Sequence, residues 1–158
     1  MSRLPVLVAA GLAALALHLT AIAQVAVKDA WVRGTVPQQK ASGAFMTLTA
    51  EVDARLVEAR SPVAGVVEIH EMAMDKGVMR MRAVTGVDLP AGRGVSLAPG
   101  GFHVMLMDLR QQLKPGDTVP ITLVIESRDR QRRTIEVEVP VRPVNAPAAG
   151  SGGHGHRH

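Results

Sequence analysis

The segment Thr134-Ile-Glu-Val-Glu-Val139 alternates apolar and polar side chains without a break, and it is the clearest strand signal in the chain. Successive side chains of a β-strand point to opposite faces, so Ile135, Val137 and Val139 share one face. Alternation of this kind is typical of a half-buried strand whose second face meets water. The segment therefore predicts a β-protein, and the same period can be sought along the rest of the chain.

Six further segments alternate or are rich in β-branched residues, namely residues 25–32, 44–50, 64–71, 78–82, 102–108 and 118–125. Turn-forming sequences with Gly, Pro and Asp separate them, for example Lys114-Pro-Gly-Asp117. No stretch shows the period of a long amphipathic helix. Several short strands joined by regular turns predict an all-β sandwich or Greek-key barrel.

The first 23 residues have the pattern of a secretory signal peptide. Arg3 supplies a positive start, residues 4–17 are almost wholly apolar, and Ala21-Ile-Ala23 is a small-x-small cleavage site. The apolar run is shorter than the roughly 20 residues that a spanning helix needs, so a cleaved signal is favoured over a membrane anchor. The sequence predicts a mature chain that starts at Gln24, is exported to a bacterial periplasm and keeps no stable membrane insertion.

Composition and the absence of known enzyme motifs exclude several classes of function. The 158 residues include no cysteine, which excludes disulfides, thiolate metal sites and the His₂Cys site of blue-copper electron carriers. Aromatic residues make up only 2% of the chain, too few for a base-stacking platform. The net charge is +4, and a solvated hairpin tip is favoured over nucleic-acid binding for the arginine cluster of Arg128, Arg130, Arg132 and Arg133. Phosphate-binding glycine loops and the GxSxG and HExxH motifs are absent, so no enzymatic activity is predicted.

Methionine and histidine are concentrated in one part of the chain. Six of the eight methionines lie between residues 72 and 107, and the two histidines of the predicted domain lie in or beside the same window. Residues i and i+2 of a strand share a face, which gives three pairs that point together: His70/Met72, Met79/Met81 and His103/Met105. The segment thus predicts a surface rich in imidazole and thioether groups.

The turn sequence Asp75-Lys-Gly77 predicts a hairpin that brings the first two pairs together. If residues 74–77 form a four-residue loop, His70 lies opposite Met81 and Met72 lies opposite Met79. Directly opposed Cβ atoms are about 4.5–5.5 Å apart, close enough for their side chains to share one metal ion. Met72 and Met79 are therefore candidate additional ligands.

The segment 102–108 carries apolar core residues on one face and histidine and methionine on the other. Phe102, Val104 and Leu106 form its core face, and His103, Met105 and Met107 share the face expected to meet water. If the sandwich sets this strand beside the hairpin, two imidazoles and several thioethers meet, a set of donors that favours Cu(I) over hard cations. Methionine is also a common core filler and a partner-binding residue, so a structural or adhesive domain that binds a partner through its Met-rich face stays an alternative.

The predicted domain covers residues 24–143, and residues 144–158 form a flexible tail of Ala, Pro, Gly, Ser and His. His154, His156 and His158 alternate with other residues at its end. Neutral imidazoles bind Cu(II), Ni(II) or Zn(II), so the tail is predicted to capture Cu(II). An expression tag is the alternative, although tags usually carry six consecutive histidines.

The spacing His70-x10-Met81-x21-His103-x-Met105 resembles that of the periplasmic PCuAC copper chaperones. The segments Asp29-Ala-Trp-Val-Arg33, Ser42-Gly-Ala-Phe-Met46 and Pro99-Gly-Gly-Phe-His-Val-Met-Leu-Met107 resemble that family too, and the likeness covers residues 25–141.

This resemblance implies a cupredoxin-like β-sandwich that binds Cu(I) through two histidines and two methionines. The residues at the matching positions are His70, Met81, His103 and Met105. The resemblance also implies copper delivery to respiratory cytochrome oxidase, at its CuA or CuB site, alongside Sco-type proteins.

Overall fold

A computed structural model describes residues 24–147 and shows ten β-strands and no helix in that range. The strands are β1 (Val25–Arg33), β2 (Ala41–Ala50), β3 (Ala54–Arg60), β4 (Ala64–Asp75), β5 (Val78–Ala83), β6 (Val87–Leu89), β7 (Gly94–Leu97), β8 (Phe102–Leu109), β9 (Thr118–Ser127) and β10 (Arg132–Arg142). The predicted all-β class is therefore confirmed. None of the described residues belongs to a helix long and apolar enough to cross a membrane.

Two of the predictions concern segments outside the described residues. The predicted signal peptide, residues 1–23, is one of them. The other is the end of the tail, which includes His154, His156 and His158.

The strands form one continuous ladder in the order β5-β4-β8-β2-β1-β10-β9-β3-β6. Strand β7 lies outside this order and pairs with residues 46–49 of β2. Strand β10 joins the two halves of this ladder. Its end, Val141 and Arg142, runs parallel to Val32 and Arg33 of β1, while the rest of β10 is antiparallel to β9. Neighbours far apart in sequence, such as β8 between β4 and β2, require the crossover connections of a sandwich or barrel.

The core is built by the inward-facing series of each strand. In β2 this series is Ala44, Met46, Leu48 and Ala50, and in β9 it is Val119, Ile121, Leu123 and Ile125. The alternation of residues 134–139 is found in β10, where Val139 is fully buried and Ile135 and Val137 pack against the core. Each fully buried side chain of this size contributes about 1.5–3 kcal/mol, which makes this apolar face the main stabilising element.

Three strands had no clear signal in the sequence. Strands β6 and β7 have three and four residues, too few for a period to be recognised. Strand β3 buries Leu56 and Ala59, which are three residues apart, because its register shifts between Leu56 and Glu58. A bulge of this kind breaks the alternation on which strand prediction depends.

The β4–β5 hairpin has a tighter turn than the sequence predicted. Lys76 and Gly77 both have positive φ, 47° and 79°, and they alone connect the closing pair Asp75 and Val78. Two-residue turns of this conformation match the twist of the flanking strands, and glycine adopts positive φ at little cost. The predicted four-residue loop over 74–77 is wrong.

The shorter loop moves every pair in the hairpin by two residues. Met72 lies opposite Met81, and Met79 lies opposite Met74 rather than Met72. His70 lies opposite Ala83, so the predicted pair His70/Met81 is wrong as well. A shift of two leaves each side chain on its predicted face, because strand side chains repeat every two residues.

Candidate metal centre

Strand β8 lies between β4 and β2, and this position brings the two histidines together. His70 of β4 is the direct ladder partner of His103 of β8, and their ring centroids are 5.9 Å apart. The rings meet edge to face at 64°. Met105 follows His103 by two residues in β8. It pairs with Gly43 of β2 on one side and with Glu68 of β4 on the other. Because glycine has no side chain, β2 places no large side chain directly beside Met105.

His103 is held in one orientation by its backbone neighbour. Its Nδ1 lies 3.1 Å from the carbonyl oxygen of Gly101, and a carbonyl can only accept, so Nδ1 carries the proton and donates it. In the neutral ring, Nε2 then presents a lone pair. Burial lowers the pKa of His103 below its usual 6.5, and the nearby His70 acts in the same direction, against the opposing effect of the Gly101 hydrogen bond. The ring is therefore neutral at neutral pH.

The Nε2 atom of His103 faces a thioether. It lies 3.1 Å from the Sδ of Met81, which reaches His103 from the edge strand β5. Since the proton of His103 is on Nδ1, two electron-pair donors meet with no hydrogen between them. Such a contact has little to stabilise it until a cation lies between the two atoms.

His70 presents a second available nitrogen. Its Nε2 lies 2.7 Å from Oε2 of Glu68, whose side chain is on the same face two residues earlier. The carboxylate can only accept, so Nε2–H donates this hydrogen bond, and in the neutral ring Nδ1 is then the acceptor. Nδ1 is buried and has no hydrogen-bond partner among the described residues. A buried polar atom without a partner costs about 1–3 kcal/mol, and a bound cation would remove this cost.

A cavity of about 300 Å³ opens beside His103, and Met72, Met81, His103 and Met105 are among the residues that line it. The structure thus brings three of the four predicted ligands to one cavity. The fourth, His70, does not line it, and its ring lies next to that of His103, 5.9 Å away between centroids. Met72 lines the cavity as well. Met79 is separated from it, beside Met74 near the turn.

An aromatic pair beneath the cavity was missed as part of the site. The rings of Trp31 and Phe45 are 4.6 Å apart, and the Phe45 ring lies 6.1 Å from that of His103. Arg33 covers the pair, with its Cζ 5.7 Å and 5.5 Å from the two ring centroids. The sequence did carry a signal for this pair, because Trp31 and Phe45 alternate with the core residues Val32, Ala44 and Met46 and so lie on the opposite faces of their strands.

The expectation that the Met/His face meets water is wrong for His103, which is only 6% exposed. The Phe45 ring lies 6.1 Å from the ring of His103, and Met81 contacts its Nε2. A bulge in β1 explains why this could not be foreseen. Asp29 has φ 52°, and the ladder shifts by one residue between Lys28 and Trp31, which aligns Trp31 with Phe45.

The donor set itself indicates which metals suit the site. Within residues 24–147, no group of three or more His, Cys, Asp or Glu side chains is placed to hold an ion. The cavity instead combines imidazole nitrogens with thioether sulfurs. Thioethers are soft donors that select Cu(I), and imidazole suits copper generally, so the residues present fit Cu(I).

Comparison with known proteins gives the family. Residues 25–141 match the model of a family described as LpqE-like lipoproteins. The chain belongs to this LpqE-like, PCuAC-type family. The predicted resemblance is thereby confirmed over the whole strand-forming region.

Two relatives of this PCuAC-type chain were found by sequence. The protein Lxx21020 of Leifsonia xyli subsp. xyli (strain CTCB07), named as a lipoprotein, is 35% identical over 122 residues, which cover 72% of this chain and 74% of the relative. The protein RP573 of Rickettsia prowazekii (strain Madrid E), named as uncharacterized, is 32% identical over 125 residues, which cover 75% of this chain and 69% of the relative.

Solved structures share the fold. The solution structure of CuI-DR1885 from Deinococcus radiodurans is 33% identical with a TM-score of 0.56, covering 73% of this chain and 78% of that one. Its apo form is 30% identical with the same TM-score and covers 90% and 96%. The copper-bound PCuAC domain from PmoF2, at 22% identity and a TM-score of 0.56, covers 75% and 93% and supports the fold alone.

Proposed function

We propose that this PCuAC-type chain is a copper chaperone that binds Cu(I) through His70, Met81, His103 and Met105 and passes it to a copper-accepting protein. The observation that carries the proposal is the 3.1 Å contact between two electron-pair donors, His103 Nε2 and Met81 Sδ. The unpartnered Nδ1 of His70 supports it further. A relative of 33% identity, DR1885, was solved in its CuI form.

The same geometry suits a carrier that releases its metal. Thioethers bind without a proton to displace, and the absence of cysteine leaves no thiol to be oxidised in an exported protein. Met81 lies on the edge strand β5 and is 48% exposed. An acceptor can therefore approach one ligand directly while His103 stays buried.

Acceptor and compartment form the finer part of the proposal. We propose that the chain acts in the periplasm after removal of residues 1–23, and that the acceptor is a copper-binding subunit of respiratory oxidase, a Sco-type protein, or both. The tail histidines His154, His156 and His158 are proposed to capture Cu(II). The support for these points is the PCuAC resemblance and the sequence patterns at the two ends of the chain.

A competition titration tests the proposal against the alternative of a domain that only binds a partner through its methionines. Cu(I) is titrated into the full chain in the presence of a chromophoric chelator. We expect one tightly bound ion per chain. In Met81→Leu and in Met105→Leu the affinity should fall more than about a hundredfold, since the loss of a ligand should exceed the 10–100-fold effects of outer-shell changes.

Met107→Leu is the matched control, because Met107 is on the same face of β8 as Met105 but pairs with Ala41 and Val66, away from the histidines. Its affinity should equal that of the wild type. Absence of stoichiometric binding, or equal affinity in all the variants, would favour the partner-binding alternative instead.

A further inference from the structure

The outer half of the β4–β5 hairpin carries two methionines that the cavity does not use. Met74 and Met79 are direct ladder partners, and they are 66% and 46% exposed. They lie two residues closer to the turn than Met72 and Met81, on the same face of the hairpin. Four thioethers therefore follow one another in two rows, from the cavity to the hairpin tip.

The register places the two outer sulfurs close enough to bind one ion. The two-residue turn makes Asp75 and Val78 the closing pair of the hairpin. Antiparallel pairs alternate between hydrogen-bonded and non-hydrogen-bonded positions, and the closing pair of a two-residue turn is hydrogen-bonded. Met74/Met79 and Met72/Met81 are therefore both non-hydrogen-bonded pairs, in which side chains approach most closely. Opposed Cβ atoms are about 4.5–5.5 Å apart there, well within the reach of two flexible thioethers.

Packing does not explain these methionines. All six residues of β5 are exposed, and the pairing of β4 with β8 ends at Glu71. Among residues 24–147, no layer covers the face of the outer hairpin that carries Met74 and Met79. Its opposite face is polar, where Arg82 pairs with Glu71 at 3.0 Å and Arg80 pairs with Asp75 at 3.3 Å. The charges of the polar face are therefore paired within the hairpin, whereas Met74 and Met79 are exposed.

We infer that Met74 and Met79 form a second, outer Cu(I) site through which the ion enters and leaves the inner one. This inference rests on the proposed function. Two thioethers select a soft monovalent ion but leave coordination positions open for ligands of a donor or acceptor. Met72 and Met81 continue the path inward, and Met81 completes it at His103. The ion moves by exchange of ligands, and its oxidation state does not change.

Ag(I) tests this inference because it is a soft monovalent ion that does not change oxidation state in air. The full chain, labelled with ¹³C at the methionine methyl groups, is titrated with Ag(I) and followed by NMR. We expect the first equivalent to shift the methyl signals of Met81 and Met105. A later, weaker equivalent should shift those of Met74 and Met79.

The double variant Met74→Leu/Met79→Leu should keep the first set of shifts, and it should release Cu(I) to an excess of chelator more slowly than the wild type. Met107→Leu is the control and should keep both sets of shifts and the wild-type release rate. If Met74 and Met79 do not shift, or if the double variant releases Cu(I) at the control rate, the outer site is overturned while the inner one stands. If Met81 and Met105 do not shift, the proposed function itself fails.

Discussion

The Nε2 atom of His103 and the Sδ atom of Met81 lie 3.1 Å apart, and each presents a lone pair to the other. The arrangement exists because the carbonyl oxygen of Gly101 accepts a hydrogen bond from Nδ1–H of His103, which leaves Nε2 of the neutral ring without a proton. Met81 comes from an edge strand and His103 from the middle of the sheet, so this contact connects the exposed strand β5 to the buried imidazole.

Met81→Leu should separate metal binding from folding. Met81 is half exposed on an edge strand, so its replacement by a residue of similar volume should change the free energy of unfolding by less than about 0.5 kcal/mol. Ligands that bind only the folded state raise its melting temperature, so Cu(I) should raise that of the wild type much more than that of the variant. Thermal melts with and without Cu(I) measure both effects, and equal shifts in the two proteins would argue against Met81 as a ligand.

Glu68→Ala should weaken Cu(I) binding although Glu68 is not a predicted ligand. Its carboxylate accepts a hydrogen bond from Nε2–H of His70 and so keeps the lone pair of Nδ1 free to bind a metal. Loss of a partner that orients a ligand typically costs 10–100-fold in metal affinity, and we expect a decrease of that order. Imidazole ¹⁵N spectra of the apo protein should show His70 protonated at Nε2 in the wild type and a mixture of tautomers in the variant.

Glu71→Ala is the control for this experiment. Glu71 is also a neighbour of His70 in β4, but it is on the other face and pairs with Arg82. It should leave the affinity and the tautomer of His70 unchanged. Equal losses in the two variants would mean that general negative charge near the site matters, and not the orientation of His70.

The apo protein should lose stability as the pH falls below 6.5. Burial lowers the pKa of His103 in the folded state, so from pH 6.5 downward the unfolded chain binds a proton that the folded chain does not. The stabilising contribution of neutral His103 is complete above pH 6.5 and is lost at a rate of at most about 1.4 kcal/mol per pH unit, until the folded-state pKa is reached.

Chemical denaturation at several pH values measures this slope, and His103→Asn should remove the contribution of His103. An NMR titration of the wild-type His103 ring gives an independent reading, with a midpoint expected below 6.5. A midpoint at or above that value would contradict the burial of this ring. Because protons compete with the metal, Cu(I) affinity should also decrease at low pH.

Gly43→Ala should disturb the aromatic pair beneath the cavity. A Cβ at Gly43 would lie 2.8 Å from Cζ of Phe45, so the ring must move. Overpacking of this kind typically costs about 1–3 kcal/mol, and we expect a loss of that order in the free energy of unfolding. Gly94→Ala is the control, since its Cβ would meet only ordinary contacts at 3.5 Å and beyond. Equal stability of the two variants would show that Phe45 is not packed as described.

Much of the fold could be predicted because its cause is local. The alternation in β10 and the turn signals around it require only the period of a strand and the preferences of Gly, Pro and Asp. Strands β6 and β7 could not be found in this way, because their short segments are held by pairing with β3 and β2. Their pairing energy comes from residues far away in the sequence.

The candidate site was predicted in composition but not in detail. The resemblance to the PCuAC family singled out His70, Met81, His103 and Met105, but the partners within the hairpin depended on whether its loop has two residues or four. The burial of His103 depended on the Asp29 bulge, which turns Trp31 toward Phe45. Glu68 did have a signal, since a carboxylate two residues before a histidine in a strand shares its face.

X-ray absorption at the copper K-edge of the Cu(I)-loaded chain identifies the atoms that bind the metal. We expect both nitrogen and sulfur scatterers around the metal, from the imidazoles of His70 and His103 and the thioethers of Met81 and Met105. The sulfur contribution should decrease in Met81→Leu and stay unchanged in Met107→Leu. A spectrum with nitrogen and oxygen scatterers alone, or an undiminished sulfur contribution in Met81→Leu, would overturn the proposed Cu(I) site.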